Sequence, residues 1–414
     1  MDVIHTESAT DIFDGISYGK GASWLNQTFH FFGRDVLKVG LASYFKEYSF
    51  KNTSLDDFIK HLSAATIQCG VDRDFKAWSH SWLKSAGCNI IWHDVVEEDG
   101  KIKKFTVQQR VHKYGEGNQL RVQQYKCAFY DSNMKVTKVV NIITKDDQET
   151  FDIPELEGEE APFAYHINYL NHGYAKFKID AKSIKVYEEH LGKIDDSMSR
   201  KQIYNIFYDM LQDQEIAGAW LLQICKSQLE KETDADVIAD SFRSTIPAVI
   251  KKHIPLEAYA ESHRGIFELI LDGILTNGGI DDNATRHLVL TALLSSCRNE
   301  DHFAMLVQWF KDGFITNSSG KKLEDVEVSL KHKHAIVQRI WAAEKITLAQ
   351  KQEVLDELTE MDKSDWLDDT NKLCESSHPA NKEKMWKLYF STDPDNELKD
   401  WGLYSYHNSF RGWN

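Results

Sequence analysis

The chain has 414 residues, 42% of them apolar, with 49 basic against 64 acidic side chains and a net charge of -15. That length allows roughly two to four domains with ordinary cores, and the acidic balance speaks against a nucleic-acid-binding surface and against attraction to anionic membranes, since both need clustered Lys and Arg. Six cysteines, at positions 69, 88, 127, 225, 297 and 374, form no CxxC pair and are too sparse for a disulfide framework, so buried reduced thiols are expected. The N-terminal stretch MDVIHTESATDIFD has neither the basic nor the apolar segment of a secretory signal, and no run of about 18 apolar residues occurs. The expected compartment is the cytoplasm, and the triplets at Asn26, Asn52, Asn283 and Asn317 do not alter that, because such sites are glycosylated only on secreted chains.

From Gly19 to about Ser85 the pattern is helical. Ala22, Leu25, Phe29 and Phe32 recur at steps of three or four, and Val36, Val39, Leu41, Tyr44 and Phe45 continue after a break at Gly33. Thr53 and Ser54 before Asp56 and Asp57 supply N-cap chemistry for a helix carrying Leu55, Phe58, Ile59 and Leu62. Trp78 and Trp82 sit four apart on a further helix, and Gly87 ends the stretch. Between Cys88 and about Asp180 the runs Ile90-Ile91-Trp92, Phe105-Thr106-Val107, Tyr125 to Phe129 and Val136 to Ile142 alternate with turn pairs such as Asp99-Gly100. Short strands at this spacing predict a small antiparallel sandwich of about 90 residues, with the acidic segment Glu155 to Glu160 at its rim and Tyr174 to Ile179 as its last strand. From about Ala181 onward the pattern is helical again, broken near Asp195, Asp213, Thr233, Asn277, Arg298, Ser318 and Asp362. An irregular, solenoid-like helical array is expected, without a period that names a repeat. The expected fold class is therefore multidomain α+β.

The segment FDGISYGKGASWL, residues 13–25, resembles the strand-to-helix passage that carries the transition-state tyrosine in zinc aminopeptidases of the aminopeptidase N and puromycin-sensitive type. The stretch FFGRDVLKVGLASYFKEYSFKNTSLDDFIKHL, the Trp-containing WSHSWLKSAGCNII and the sandwich-closing LNHGYAKFKID are similar to that family in the same order. In the last of these the family usually has Tyr-Arg-Val where this chain has Ala175, Lys176 and Phe177. The resemblance implies that residues 1–86 are the helical end of a thermolysin-like peptidase domain. It implies a β-sandwich over 87–180 and an incomplete helical C-terminal domain over 181–414.

The resemblance assigns Tyr18 the phenol that donates a hydrogen bond to the oxyanion of the tetrahedral intermediate, a role that can lower a barrier by a few kcal/mol. Read without it, Tyr18 is an aromatic packed where a strand passes into a helix. The family's peptide hydrolysis also needs zinc, held by two histidines one helical turn apart with a glutamate between them as general base. None of the 17 histidines belongs to an HExxH motif, the amine-binding GxMEN-type motif is absent too, and so no metal ligand is assigned. The pair His332 and His334 has a spacing that does not share a helix face. Glu188, Glu189 and His190 read as a solvated face, and His5 as a loop residue.

These features predict the C-terminal portion of a zinc metallo-aminopeptidase that removes N-terminal residues from peptides, with the 414 residues inactive by themselves and Tyr18 vestigial in them. The alternative is a non-catalytic, aminopeptidase-like subunit of a larger assembly. A protein partner is expected either on the face of residues 1–86 that the family's catalytic domain would cover, or at the aromatic C-terminus with Trp401, Tyr404, Tyr406, Phe410 and Trp413.

Overall fold

The structure, a computed structural model, describes residues 16–112, 119–276, 280, 283–364 and separate positions between 366 and 387. His5, the first residues of FDGISYGKGASWL and the aromatic stretch from Trp401 to Trp413 lie outside the described residues. The chain divides into two units, Met1–Asp213 and Gln214–Asn414.

In the first unit, a π turn over Ile16–Lys20 leads into α1 (Gly21–Gln27) and a second π turn, Thr28–Phe32. Gly33, at φ 99°, takes a backbone that other residues resist and so breaks the helix before α2 (Arg34–Tyr48). Ser54 caps α3 (Leu55–Gln68) through the amide of Asp57, and Asp57 returns a bond to the Ser54 amide, a capping box that satisfies two orphan donors. Asp74 caps α4 (Phe75–Leu83). The apolar faces of these helices meet in one aromatic core of Trp24, Phe31, Phe32, Phe75, Trp78 and Trp82, closed by Val36, Ile59 and Leu62. α2 and α3 approach closely at Gly40, where any Cβ would run into the side chain of Leu62.

Seven strands follow: β1 (Asn89–Glu98), β2 (Lys101–Val111), β3 (Gln124–Tyr130), β4 (Val136–Ile143), β5 (Thr150–Asp152), β6 (Ala164–Tyr169) and β7 (Ala175–Phe177). They form one sheet in the order β5-β2-β1-β7 and another in the order β4-β3-β6. Asp99 and Gly100, at φ 51° and 74°, make the tight turn of the β1–β2 hairpin. The pairing departs from a purely antiparallel sandwich at one place, because β7 runs parallel to β1 with Ile90 opposite Lys176. The long excursion through β6 lets the chain return in that direction. Between the sheets Phe105 faces Phe129 and Tyr165, while His93 bonds the Tyr125 hydroxyl at 2.7 Å. The helices α5 (Ala181–His190) and α6 (Ser197–Gln212) belong to this same unit. Tyr187 donates to the Tyr165 carbonyl, and Gln202 donates to that of Asn168.

The second unit carries α7 (Gly218–Leu229), α8 (Ala235–Asp240), α9 (Ile246–His253), α10 (Leu256–Glu268), α11 (Asn283–Ser296), α12 (Glu300–Asp312), α13 (Leu330–Ala342) and α14 (Leu348–Met361). The region expected to be helical throughout contains a hairpin of β8 (Phe314–Thr316) and β9 (Lys322–Glu327). Gly313, left-handed at φ 73°, stops α12, and the Asn317 side chain bonds the amides of Ser319 and Lys321 to form the turn. The break foreseen near Ser318 is thus the tip of a hairpin.

Burial pushes His93 down from the ordinary 6.5 to about 3 and His166 down to about 4. The unfolded chain therefore binds protons that the folded sandwich refuses. Stability from this source is complete above pH 6.5 and is lost as pH falls toward 4. The expected loss is about 1.4 kcal/mol per pH unit for each histidine, measured as the unfolding free energy in denaturant. A His166→Gln variant should show a slope smaller by one histidine's share.

Candidate functional site

Tyr18 lies inside the π turn that opens the helical part, a wider turn of a kind that often occurs at functional positions. Its side chain is 64% exposed. Among the described residues, a Cβ at Gly19 or Gly21 would meet nothing within 4 Å. An exposed phenol on a held backbone can serve as a hydrogen-bond donor to an incoming group.

What holds that backbone is next to it in sequence. Lys20 is buried and its ammonium donates to the carbonyl of Ser85 at 2.6 Å. Arg121, on the segment entering β3, reaches the same place: its guanidinium donates to the Ser85 hydroxyl and to the Ala86 carbonyl, each at 2.7 Å. Both cations thus sit at the C-terminal end of α4, where the last carbonyls and the helix dipole favour positive charge. Burial, and then the charge of Arg121, pull Lys20 below its usual range, and burial lowers Arg121 as well. At the far end of α1, about 10 Å further along the helix axis, Gln27 takes over. Its amide donates to the carbonyls of Gln124 at 2.6 Å and His172 at 2.5 Å and accepts from the Gln124 amide at 2.8 Å. Next to it His30 stacks on His172 with ring centres 3.5 Å apart. Burial, followed by the charges of His30 and Lys126, lowers His172 to about 4, which keeps this stack neutral near pH 7.

Sequence reading found Tyr18 but missed Gln27 and Arg121 and saw Lys20 only as the start of a helix. Their partners lie 97, 36 and 65 residues away, a separation that no local pattern reports. The other sequence candidates are dispersed. Glu189 is exposed, 3.9 Å from His190. In the second unit His332 faces His287 at 3.2 Å, and His334 is buried between Asp362 and Thr370. Residues that would hold the family's zinc are not supplied here. The sequence has no HExxH, and among the described residues no three His, Cys, Asp or Glu side chains converge. No chemical step through a metal is derived for this chain.

Replacing Gln27 by Ala removes three bonds to backbone groups of the sandwich and leaves them buried. An unsatisfied buried group costs about 1–3 kcal/mol, so a loss of about 3 kcal/mol or more in unfolding free energy is expected, with Tyr18 becoming more mobile. A Gln27→Ala variant as stable as the parent would show that the helix is held by apolar packing alone.

The domain model of peptidase family M1 matches residues 1–82. Aminopeptidase N of Streptomyces lividans is 31% identical over 57% of this chain and 28% of its own length. Aminopeptidase N of Lactobacillus delbrueckii subsp. lactis is 24% identical over 70% of this chain and 33% of its own. A crystal structure of Legionella pneumophila aminopeptidase A in complex with aspartic acid aligns with 97% of this chain and 48% of its own, at 14% identity and a TM-score of 0.48. The chain thus spans about a third or less of the length of these two curated relatives. Among the described residues no helix is long and apolar enough to cross a membrane. The helical part that carries Tyr18 thus matches the M1 peptidase family, and the chain is similar to aminopeptidase N sequences well beyond it.

Proposed function

We propose that this chain is the portion of a zinc aminopeptidase that carries the oxyanion-binding phenol, and that the whole enzyme removes N-terminal residues from peptides in the cytoplasm. The observation that carries this reading is Tyr18 itself: the family's tyrosine segment is present in the sequence, and the Tyr18 side chain is exposed on a turn whose last residue, Lys20, is fixed to Ser85. A donor held in place before reaction loses little free energy in reorganising toward the negative charge that develops on a peptide carbonyl oxygen. Zinc ligands and the general base then come from polypeptide outside these 414 residues. On this reading residues 1–86 complete a thermolysin-like domain, 87–180 form its sandwich neighbour and 181–414 a helical domain.

Exposed apolar side chains support a covering partner for the helical layer. Phe45, Phe50, Leu55 and Ile67 stand more than half exposed on α2, α3 and the turn between them, and Tyr18 does so on the π turn before α1. Large apolar groups gathered on one layer mark surfaces that bury against another body. The absence of HExxH equally suits a second reading, in which the chain is a binding subunit that kept this surface and lost the chemistry.

Two measurements separate the readings. The purified 414 residues should hydrolyse no aminoacyl amide, with or without added zinc; turnover by them would contradict the proposal. In the native protein, isolated with the polypeptide that bears its zinc site, Tyr18→Phe should lower kcat by about 10²–10³ and change KM little. Unchanged turnover would remove Tyr18 from the mechanism, and a native assembly that holds no zinc and hydrolyses nothing would favour the binding subunit.

A further inference from the structure

A cavity of about 920 Å³ in the second unit opens between the π turn Ser241–Thr245 and the helices α9, α10, α11 and α13. That volume suits a small molecule rather than a macromolecule. In a chain with a net charge of -15, the described side chains lining this cavity include five Lys and Arg, among them Arg298 and Arg339, and no Asp or Glu. The remaining walls are apolar, with Phe242 and Leu288 among them.

Among the described residues neither Arg298 nor Arg339 has a carboxylate within ion-pair reach, and the Arg298 Nε is shut off from solvent without a hydrogen-bond partner. Both ring nitrogens of buried His263 also lack partners. Burial and then the neighbouring charge of Arg298 pull Arg339 down to about 9, and burial followed by the charges of both arginines brings His263 to about 3. Two guanidinium groups that repel each other in a partly dry site cost stability; the Tyr259 side chain hydrogen-bonds Arg298, but among the described residues no carboxylate neutralises the pair. An anion would.

We propose that the second unit binds a small organic anion, a carboxylate or phosphate on an apolar body, in this cavity, with Arg298 and Arg339 holding the anionic head. Guanidinium forks suit either head group, because both present paired oxygens. The exposed Lys251 and Lys331 stand at the mouth and attract the ligand as it enters. The apolar walls then take the body of the molecule.

The test is calorimetric titration of the whole 414-residue chain with phenyl phosphate, phenylacetate and the neutral benzyl alcohol. At least one anion should bind about tenfold or more tightly than benzyl alcohol, and should weaken when salt rises from about 0.05 M to about 0.5 M. Tight phenyl phosphate alone assigns a phosphoryl ligand, phenylacetate alone a carboxylate, and both together a site that reads charge. Arg298→Gln with Arg339→Gln should weaken that anion by about tenfold or more while leaving the ligand-free thermal midpoint unchanged or higher, since repulsion is relieved. Should this double variant fail to fold, Lys251→Gln with Lys331→Gln, both on the surface, should still weaken binding a few fold at low salt. Equal affinity for benzyl alcohol, no binding of either anion, or variants that bind as the parent does would each overturn the proposal. The readout is binding, so the outcome does not depend on whether the enzyme reading holds.

Discussion

Two cations meeting at one helix end set the geometry of the first unit. Lys20 comes from the turn that carries Tyr18, Arg121 from the approach to the central strand of a sheet, and both bond Ser85 just beyond α4. Among the described residues no carboxylate takes part. The negative end of the helix dipole and its unpaired carbonyls stabilise the pair, which lets two charges be buried close together without a salt bridge. Three elements distant in sequence are thereby tied at one point, and the phenol stands two residues from it.

The rest of the first unit extends that tie. Gln27 repeats it one helix further on with neutral hydrogen bonds to β3 and to the loop before β7. Trp78 and Trp82 add a third line of attachment, since both indole nitrogens donate to the carbonyl of Val122. The helical layer and the sandwich therefore share an interface that is apolar at its centre and polar where backbone groups would otherwise be stranded. Buried histidines such as His93 and His166 stay neutral within the sandwich, which couples the integrity of the unit to pH. In the second unit the same physics leaves a different mark: Arg298 and Arg339 are half-buried, and among the described residues no carboxylate answers them.

Much of this layout was legible in the sequence because it rests on local chemistry. Gly33 breaks the helix where its freedom at positive φ is needed, Ser54 and Asp57 form their capping box three residues apart, and Asp99-Gly100 makes the expected hairpin. The parallel pairing of β7 with β1 was not legible, because strand direction depends on the path of the chain between them. The β8–β9 hairpin was hidden by its composition. Lys321, Lys322, Glu324 and Glu327 give β9 the charge density of a solvated helix, although Leu323, Val326 and Val328 are the buried positions. Of the candidate site, the sequence showed Tyr18 through its flanking glycines and family likeness, whereas Lys20, Gln27 and Arg121 act across distances in the chain that no motif records.

The central claim is that Tyr18 is carried by a turn locked to the sandwich through Ser85. Amide hydrogen exchange across residues 16–32 measures this directly, because a locked segment opens only when the unit it is tied to opens. The account predicts that amides of α1 and the π turn after it exchange with the same opening free energy as those of β1 and β3. Fast exchange over residues 16–32, with the sandwich strands still protected, would show a frayed end with no fixed phenol and would contradict it.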